Sequence, residues 1–249
     1  MTRFSANLGF LWTDLSLPDA IRRAKAAGFE AVEAHFPYDV PVDLVVAALA
    51  ETGLPLLGIN TIRGGEGENG LAALKGREIE ARAAIDQALD YAHASGAGMV
   101  HVMAGRCGDE ATYIANLRYA AEEARDLGKT ILIEPLNTRD APEYFLTEVE
   151  QAAEIITRAG ASNIRIMFDC YHVQVMQGDL LRRFEALMPL IGHVQIAGAP
   201  GRGEPDTGEI AYERLLPAIA EMGWSGFVGA EYRPKGATGE SLGWMEAFR

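Results

Sequence analysis

Eight short apolar, β-rich runs alternate with stretches of Ala, Leu, Glu and Arg at helical period along the whole chain. A hydrophobic period near 2 marks the runs as strands, and a period near 3.6 marks the stretches as helices. Strands are expected over residues 4–9, 31–35, 55–60, 98–103, 130–134, 164–169, 192–196 and 226–231. Helices are expected over 18–27, 42–52, 76–94, 110–127, 147–159, 180–188 and 212–222, with a short one near Trp244. Thr147-Glu-Val-Glu150 reads as a capping box that opens the fifth helix. Six helices run into a glycine (Gly28, Gly53, Gly96, Gly128, Gly160 and Gly223), the residue that most easily takes the left-handed conformation closing a helix.

Strands separated by crossover helices pair in parallel. Eight such units in 249 residues suit a closed α/β fold, a single (β/α)8 TIM barrel spanning residues 1–249 as one domain. An open doubly wound sheet is the alternative, but no G-x-G-x-x-G follows the first strand, so a dinucleotide site has no support. Two Gly-rich segments, 63–70 and 199–208, follow strands and would lie on the catalytic face of a barrel. The first has the composition of a mobile loop.

The C-terminal ends of barrel strands carry catalytic groups. Strand 5 ends on Glu134, strand 6 on Asp169 and strand 8 on Glu231, while strand 7 carries Gln195 with Val194 and Ile196 expected to face the helices. A lone acid at a strand end is usually a turn former or a solvated residue. Four oxygen donors on consecutive strands are a different case, because the barrel brings them together. Three carboxylates at one point repel unless a cation joins them. Hard oxygen ligands suit one divalent metal ion, Mg2+ or Mn2+, with Co2+ as a further option; zinc would favour His or Cys ligands.

Other groups near the strand ends are candidates for substrate binding. His172 follows Asp169 by three residues, Arg202 sits in the loop after strand 7, Arg106 follows strand 4, and Glu33 and His35 share a face at the end of strand 2. Arg202 is the expected bidentate anchor for a substrate carboxylate. His193 reads as structural and Cys170 as buried packing.

Charge and composition remove several function classes. Lys and Arg number 22 against 35 Asp and Glu, a net charge of −13, which repels polyphosphate; nucleic acid is not an expected partner. No apolar run approaches 18 residues and the segment MTRFSANLGF has no export-type apolar core, so neither a membrane partner nor export is expected. Cys107 and Cys170 form no disulfide framework, which favours a reducing, cytoplasmic compartment. Homo-oligomerisation is left open.

Several segments resemble those of the hydroxypyruvate isomerases, a branch of the xylose isomerase-like TIM barrels that also includes ketose 3-epimerases and endonuclease IV. They are Arg3-Phe-Ser-Ala-Asn-Leu8, Val32-Glu33 with Phe36-Pro-Tyr-Asp39, Ile133-Glu-Pro-Leu-Asn137, Asp169-Cys-Tyr-His172, Gly192-His-Val-Gln-Ile-Ala197, Arg202-Gly-Glu-Pro205, Thr207-Gly-Glu-Ile210 and Glu231-Tyr232, with Trp244-Met245 and Arg249 near the end. The resemblance places Glu134, Asp169, Gln195 and Glu231 on the family's metal positions, and Glu134 and Glu231 on its acid/base pair. His172 and Arg202 match substrate-contacting positions. The implied reaction interconverts hydroxypyruvate and tartronate semialdehyde, or a close 2-oxo acid homologue, through a cis-enediolate; the substrate is a small hydroxy-keto acid or sugar. Ketose 3-epimerase and 2-oxo-tetronate isomerase are alternatives on the same site. An endonuclease IV-like phosphodiesterase and a non-catalytic sugar-acid binding barrel are rivals of other classes. After strand 3, typical members carry an Asn-Leu-Pro-Ala-Gly-Asp-like segment where this chain has Asn60-Thr-Ile-Arg-Gly-Gly-Glu66.

Overall fold

The computed structural model describes residues 2–248; Arg249, part of the resemblance above, lies outside them. Eight parallel strands form the sheet: β1 (Arg3–Asn7), β2 (Ala31–Glu33), β3 (Gly58–Asn60), β4 (Met99–His101), β5 (Thr130–Ile133), β6 (Ile164–Asp169), β7 (Ile191–Ile196) and β8 (Phe227–Ala230). The order β2-β1-β8-β7-β6-β5-β4-β3 leaves one seam. Backbone bonds from Val32 N–H to the Pro55 carbonyl (3.0 Å) and from Leu57 N–H to the Val32 carbonyl (2.8 Å) close it. The sheet is therefore the expected barrel, with short strands meeting at β2 and β3 through the residues just before β3.

Helices α1 (Leu17–Ala26), α2 (Val42–Thr52), α3 (Glu78–Ser95), α4 (Glu110–Asp126), α5 (Val149–Ala159), α6 (Cys170–Met176), α7 (Leu180–Leu187) and α8 (Tyr212–Glu221) surround the strands. Val194 and Ile196 point into the apolar layer under the helices, as their alternation with Gln195 requires. All six helix-closing glycines have positive φ, from 64° at Gly128 to 107° at Gly223. The segment near Trp244 is a 3-10 helix over Gly243–Phe248 rather than an α-helix.

Two local expectations fail. The proposed capping box at Thr147 does not form: the N-cap is Glu148, without a side-chain cap. The Gln151 and Gln177 side chains instead accept from Thr147 N–H and Val149 N–H at 3.0 and 3.2 Å. The 63–70 loop, mobile by composition, is tied at both ends. Gly70 N–H donates to the Arg63 carbonyl at 2.7 Å, and Glu68 accepts from Gly65 N–H at 2.6 Å and from Arg77 at 2.5 Å. Among the described residues, no helix is long and apolar enough to cross a membrane.

Candidate active site

Asp169 has two duties at the end of β6. Its Oδ1 caps α6 by accepting from Tyr171 N–H at 2.8 Å, so the helix starts where sequence reading expects only a loop or cap. That first turn brings His172 back beside the carboxylate, Nε2 to Oδ2 3.6 Å, and within 3.9 Å of Glu134. Asn137 N–H donates to His172 Nδ1 at 2.9 Å. Nδ1 is therefore the acceptor, and the neutral ring carries its proton on Nε2, facing the acids. Burial and the Arg202 charge hold His172 well below its usual range, so it stays neutral. Glu134, Asp169 and His172 present ligand atoms within 4.8 Å of one another, but this tautomer makes His172 a hydrogen-bond donor rather than a metal ligand.

Arg202 runs between two of the predicted carboxylates. Its Nη2 lies 3.3 Å from Asp169 Oδ2 and 3.0 Å from Glu231 Oε2, with the residue 8% exposed. The other Glu231 oxygen contacts His35 Nε2 at 2.8 Å. Burial pushes Glu231 upward, but Arg202 and His35 outweigh it and hold the carboxyl at about 2. Glu134 has no such partner. Burial first, then the charges of Glu231 and Asp169, push it well above the carboxylate range. Asp169 is pushed up to about 7, by burial against the opposing pull of Arg202.

Gln195 pairs in register with Asp169 across β6 and β7. Its Nε2 donates to Glu33 Oε2 at 2.8 Å, which turns Oε1 away from that bond and leaves it buried without a partner. Glu134 Oε1 is likewise buried without a hydrogen bond, whereas Glu231 Oε2 has only its ion pair with Arg202. Two orphaned acceptor oxygens, beside a crowded acid that burial pushes to protonate, have the donor chemistry that suits a cation. The residues present fit a divalent metal.

Glu33 and Arg106 lie apart from the Arg202 cluster. Glu33 is 5% exposed and fully used: it accepts from Ser5 Oγ at 2.5 Å and from Gln195, and pairs with His193 Nε2 at 3.0 Å. It holds Gln195 and His193 together beneath the strand ends. Gly229 on β8 makes room for this cluster, since a Cβ there would meet Glu33 Oε1 at 2.4 Å. Arg106 leaves the site because the chain turns at Gly105 and Cys107, both with positive φ. Its backbone pairs with Tyr144, and its side chain lies beside Gly67 in the 63–70 loop. Cys170 is free and buried, as expected.

His35 faces a cavity of about 240 Å3 that is also lined by Glu134, His172, Arg202 and Glu231. A Cβ at Gly9 would fall 2.1 Å from His35 Nδ1. Gly9→Ala must therefore displace the ring and its bond to Glu231; turnover is expected to fall roughly 10- to 100-fold with the fold intact, by steady-state kinetics and circular dichroism.

The position of Arg202 also changes what its removal should do. The sequence expectation is loss of a substrate anchor. In the structure Arg202→Ala strips a buried cation from Asp169 and Glu231, at a cost of about 3–5 kcal/mol. For a chain of this size each kcal/mol is worth roughly 2–4 °C. A clear fall in Tm of the chelator-treated variant, partly recovered with Mg2+, is expected by scanning calorimetry; a change confined to KM would contradict this placement.

One group escapes sequence reading. His101 ends β4, is 1% exposed, and places Nδ1 3.6 Å from Glu134 Oε2. Burial lowers its pKa to about 3, so the ring is neutral. Its signal is present, since it stands at an inward position of strand 4, but a lone histidine inside an apolar run is more often packing.

Residues 21–248 match the family described as Xylose isomerase-like TIM barrel. A 2-oxo-tetronate isomerase of Cupriavidus necator is 42% identical, the alignment covering 100% of this chain and 99% of that protein. A hydroxypyruvate isomerase of Escherichia coli is 37% identical over the whole of both chains. A Brucella melitensis crystal structure described as AP endonuclease, family 2, superposes with a TM-score of 0.96 at 39% identity over the whole of both chains. With its barrel, its strand-end acids and these full-length relatives, the chain belongs to the xylose isomerase-like TIM barrel family.

Proposed function

We propose that the protein is a metal-dependent isomerase of small 2-oxo acids, interconverting hydroxypyruvate and tartronate semialdehyde or the four-carbon homologue. The observation that carries this reading is the pair of orphaned, buried oxygens on Glu134 and Gln195, converging with the carboxylates of Asp169 and Glu231. The names of the Cupriavidus necator and Escherichia coli relatives support the same substrate class.

The isomerisation moves one proton between adjacent carbons and redistributes protons on their oxygens. A divalent metal bound by Glu134, Asp169, Gln195 and Glu231 would stabilise the negative charge that develops on the two neighbouring oxygens. The protein supplies the rest. Glu231 is ionised under all ordinary conditions, because His35 and Arg202 hold it so, and it takes the proton from carbon. Glu134, at the end of β5, lines the same cavity; it takes the hydroxyl proton released at that carbon and returns it to the neighbouring carbon, while Glu231 passes its proton to the oxygen there. His172 Nε2–H donates to a substrate oxygen. The pair follows a general pattern in which environment pushes two carboxylates apart in acidity.

The Brucella melitensis description raises endonuclease chemistry as a second reading. Such sites need several metals on many histidines. Of the five histidines here, His193 is held by Glu33, His172 presents a proton, and His93 is exposed on α3. The two readings separate in one set of assays. Protein loaded with Mg2+ or Mn2+ is expected to exchange the C–H of hydroxypyruvate or 2-oxo-tetronate in D2O, followed by NMR, and to leave an abasic DNA duplex uncut. Cleavage without exchange would reverse the assignment.

A further inference from the structure

With Arg202 turned inward onto Asp169 and Glu231, the substrate's own anionic group needs other cations. We propose that Arg63, from the loop after β3, and Arg233, just beyond β8, form the clamp that selects substrates carrying a carboxylate. This inference rests on the isomerase reading above and names the substrate feature it selects.

Both guanidiniums line the same cavity as Glu134, His172 and Glu231. Both side chains are free of carboxylates: among the described residues neither has an ion pair within 4.0 Å, although acids outnumber bases 35 to 22 in this chain. Unpaired cations at the mouth of a cavity in an acidic protein draw an anion to that spot and to few others.

Packing holds the two arginines on one wall. Phe10, His35 and Phe36 stand edge to face in a row, with ring centroids 5.4 and 5.7 Å apart. Arg63 lies over Phe36 at 4.9 Å and Arg233 lies near Phe10 at 5.9 Å. Stacking on a ring face leaves the N–H edges of a guanidinium free for a carboxylate. The backbones are fixed as well. The Arg63 carbonyl accepts from Gly70 N–H, and Arg233 N–H donates to the Arg202 carbonyl, both at 2.7 Å. The second bond ties the clamp to the residue that holds Asp169 and Glu231, and His35 joins the ring row to Glu231 itself. The wall thus lies beside the proposed proton acceptor, where the carboxylate of a 2-oxo acid, one bond from the reacting carbon, must sit.

The test uses hydroxypyruvate and dihydroxyacetone, which has the same length with CH2OH in place of the carboxylate, and tartronate as a non-reacting anion. Arg63→Gln, Arg233→Gln and the double variant are compared with the wild type, each checked for Tm. The preference for hydroxypyruvate over dihydroxyacetone, as a ratio of kcat/KM, is expected to fall about tenfold in each single variant and about 100-fold in the double. Tartronate Kd by calorimetry should weaken in parallel, and Arg63→Lys and Arg233→Lys should recover part of the loss. An unchanged ratio and unchanged tartronate Kd in the double variant would overturn the clamp. If the wild type turns over no 2-oxo acid, the isomerase reading fails, and tartronate binding by the same variants still decides the clamp.

Discussion

Replacing Glu231 or Glu134 by Gln is expected to lower kcat for 2-oxo acid isomerisation by about 10²-fold or more, with KM changed far less. The amide keeps the size of the side chain and an oxygen for a metal, but it cannot take a proton. The two changes should not be equal in their structural effect. Glu231→Gln removes the negative partner of both His35 and Arg202, which contact it at 2.8 and 3.0 Å, so its variant should also lose some stability. Glu134→Gln removes an acid that burial and two neighbouring charges already disfavour, so its Tm should hold or rise. Exchange of the substrate C–H in D2O reads the chemical step directly. Near-wild-type exchange in both variants would mean that neither carboxylate is the base.

Chelation should abolish turnover, and Mg2+, Mn2+ or Co2+ should restore it, while circular dichroism shows the barrel intact. The metal should also change how stability depends on pH. Without it, burial raises Asp169 from an ordinary 3.8 to about 7. Between those values the folded protein keeps a proton that the unfolded chain releases, so stability falls as pH rises through the window. Glu134, also raised, acts in the same direction. Glu231, held at about 2, acts oppositely, but only below the ordinary carboxylate range. A bound dication favours the ionised acids and releases their protons. The increase in Tm produced by Mg2+ should therefore grow between about pH 5 and 8. Full turnover after chelation, or an increment independent of pH, would remove the metal from the proposal.

The site is legible in the sequence only so far as side-chain direction follows from position along the chain. Glu134, Asp169 and Glu231 each end an apolar run, and alternation in a strand tells which face Gln195 takes. Those rules place Glu33 on an inward face but not its partners. Its partners Ser5, His193 and Gln195 come from β1 and β7, up to 162 residues away. The direction of Arg106 is hidden for a different reason: two positive-φ residues beside it turn a loop that strand period does not describe. The missing capping box at Thr147 shows the same limit locally: Gln177, at the C-cap of α6, holds the Glu150 carboxylate, and Gln151 accepts from Thr147 N–H in its place.

The alternation of strand and helix patterns determined by itself a parallel α/β sheet with crossover helices, and eight units in 249 residues favoured the barrel over an open sheet; the bonds between Val32, Pro55 and Leu57 close it. It determined equally that oxygen donors crowd one end. Only the tertiary structure decided which cation answers which anion. Arg202, Arg63 and Arg233 look alike as lone loop arginines in the sequence. Packing turns Arg202 inward between Asp169 and Glu231 and leaves the other two over Phe36 and Phe10 at the mouth. Long side chains take their direction from contacts made across the fold, such as His35 on Glu231 across 196 residues, and no local pattern encodes those.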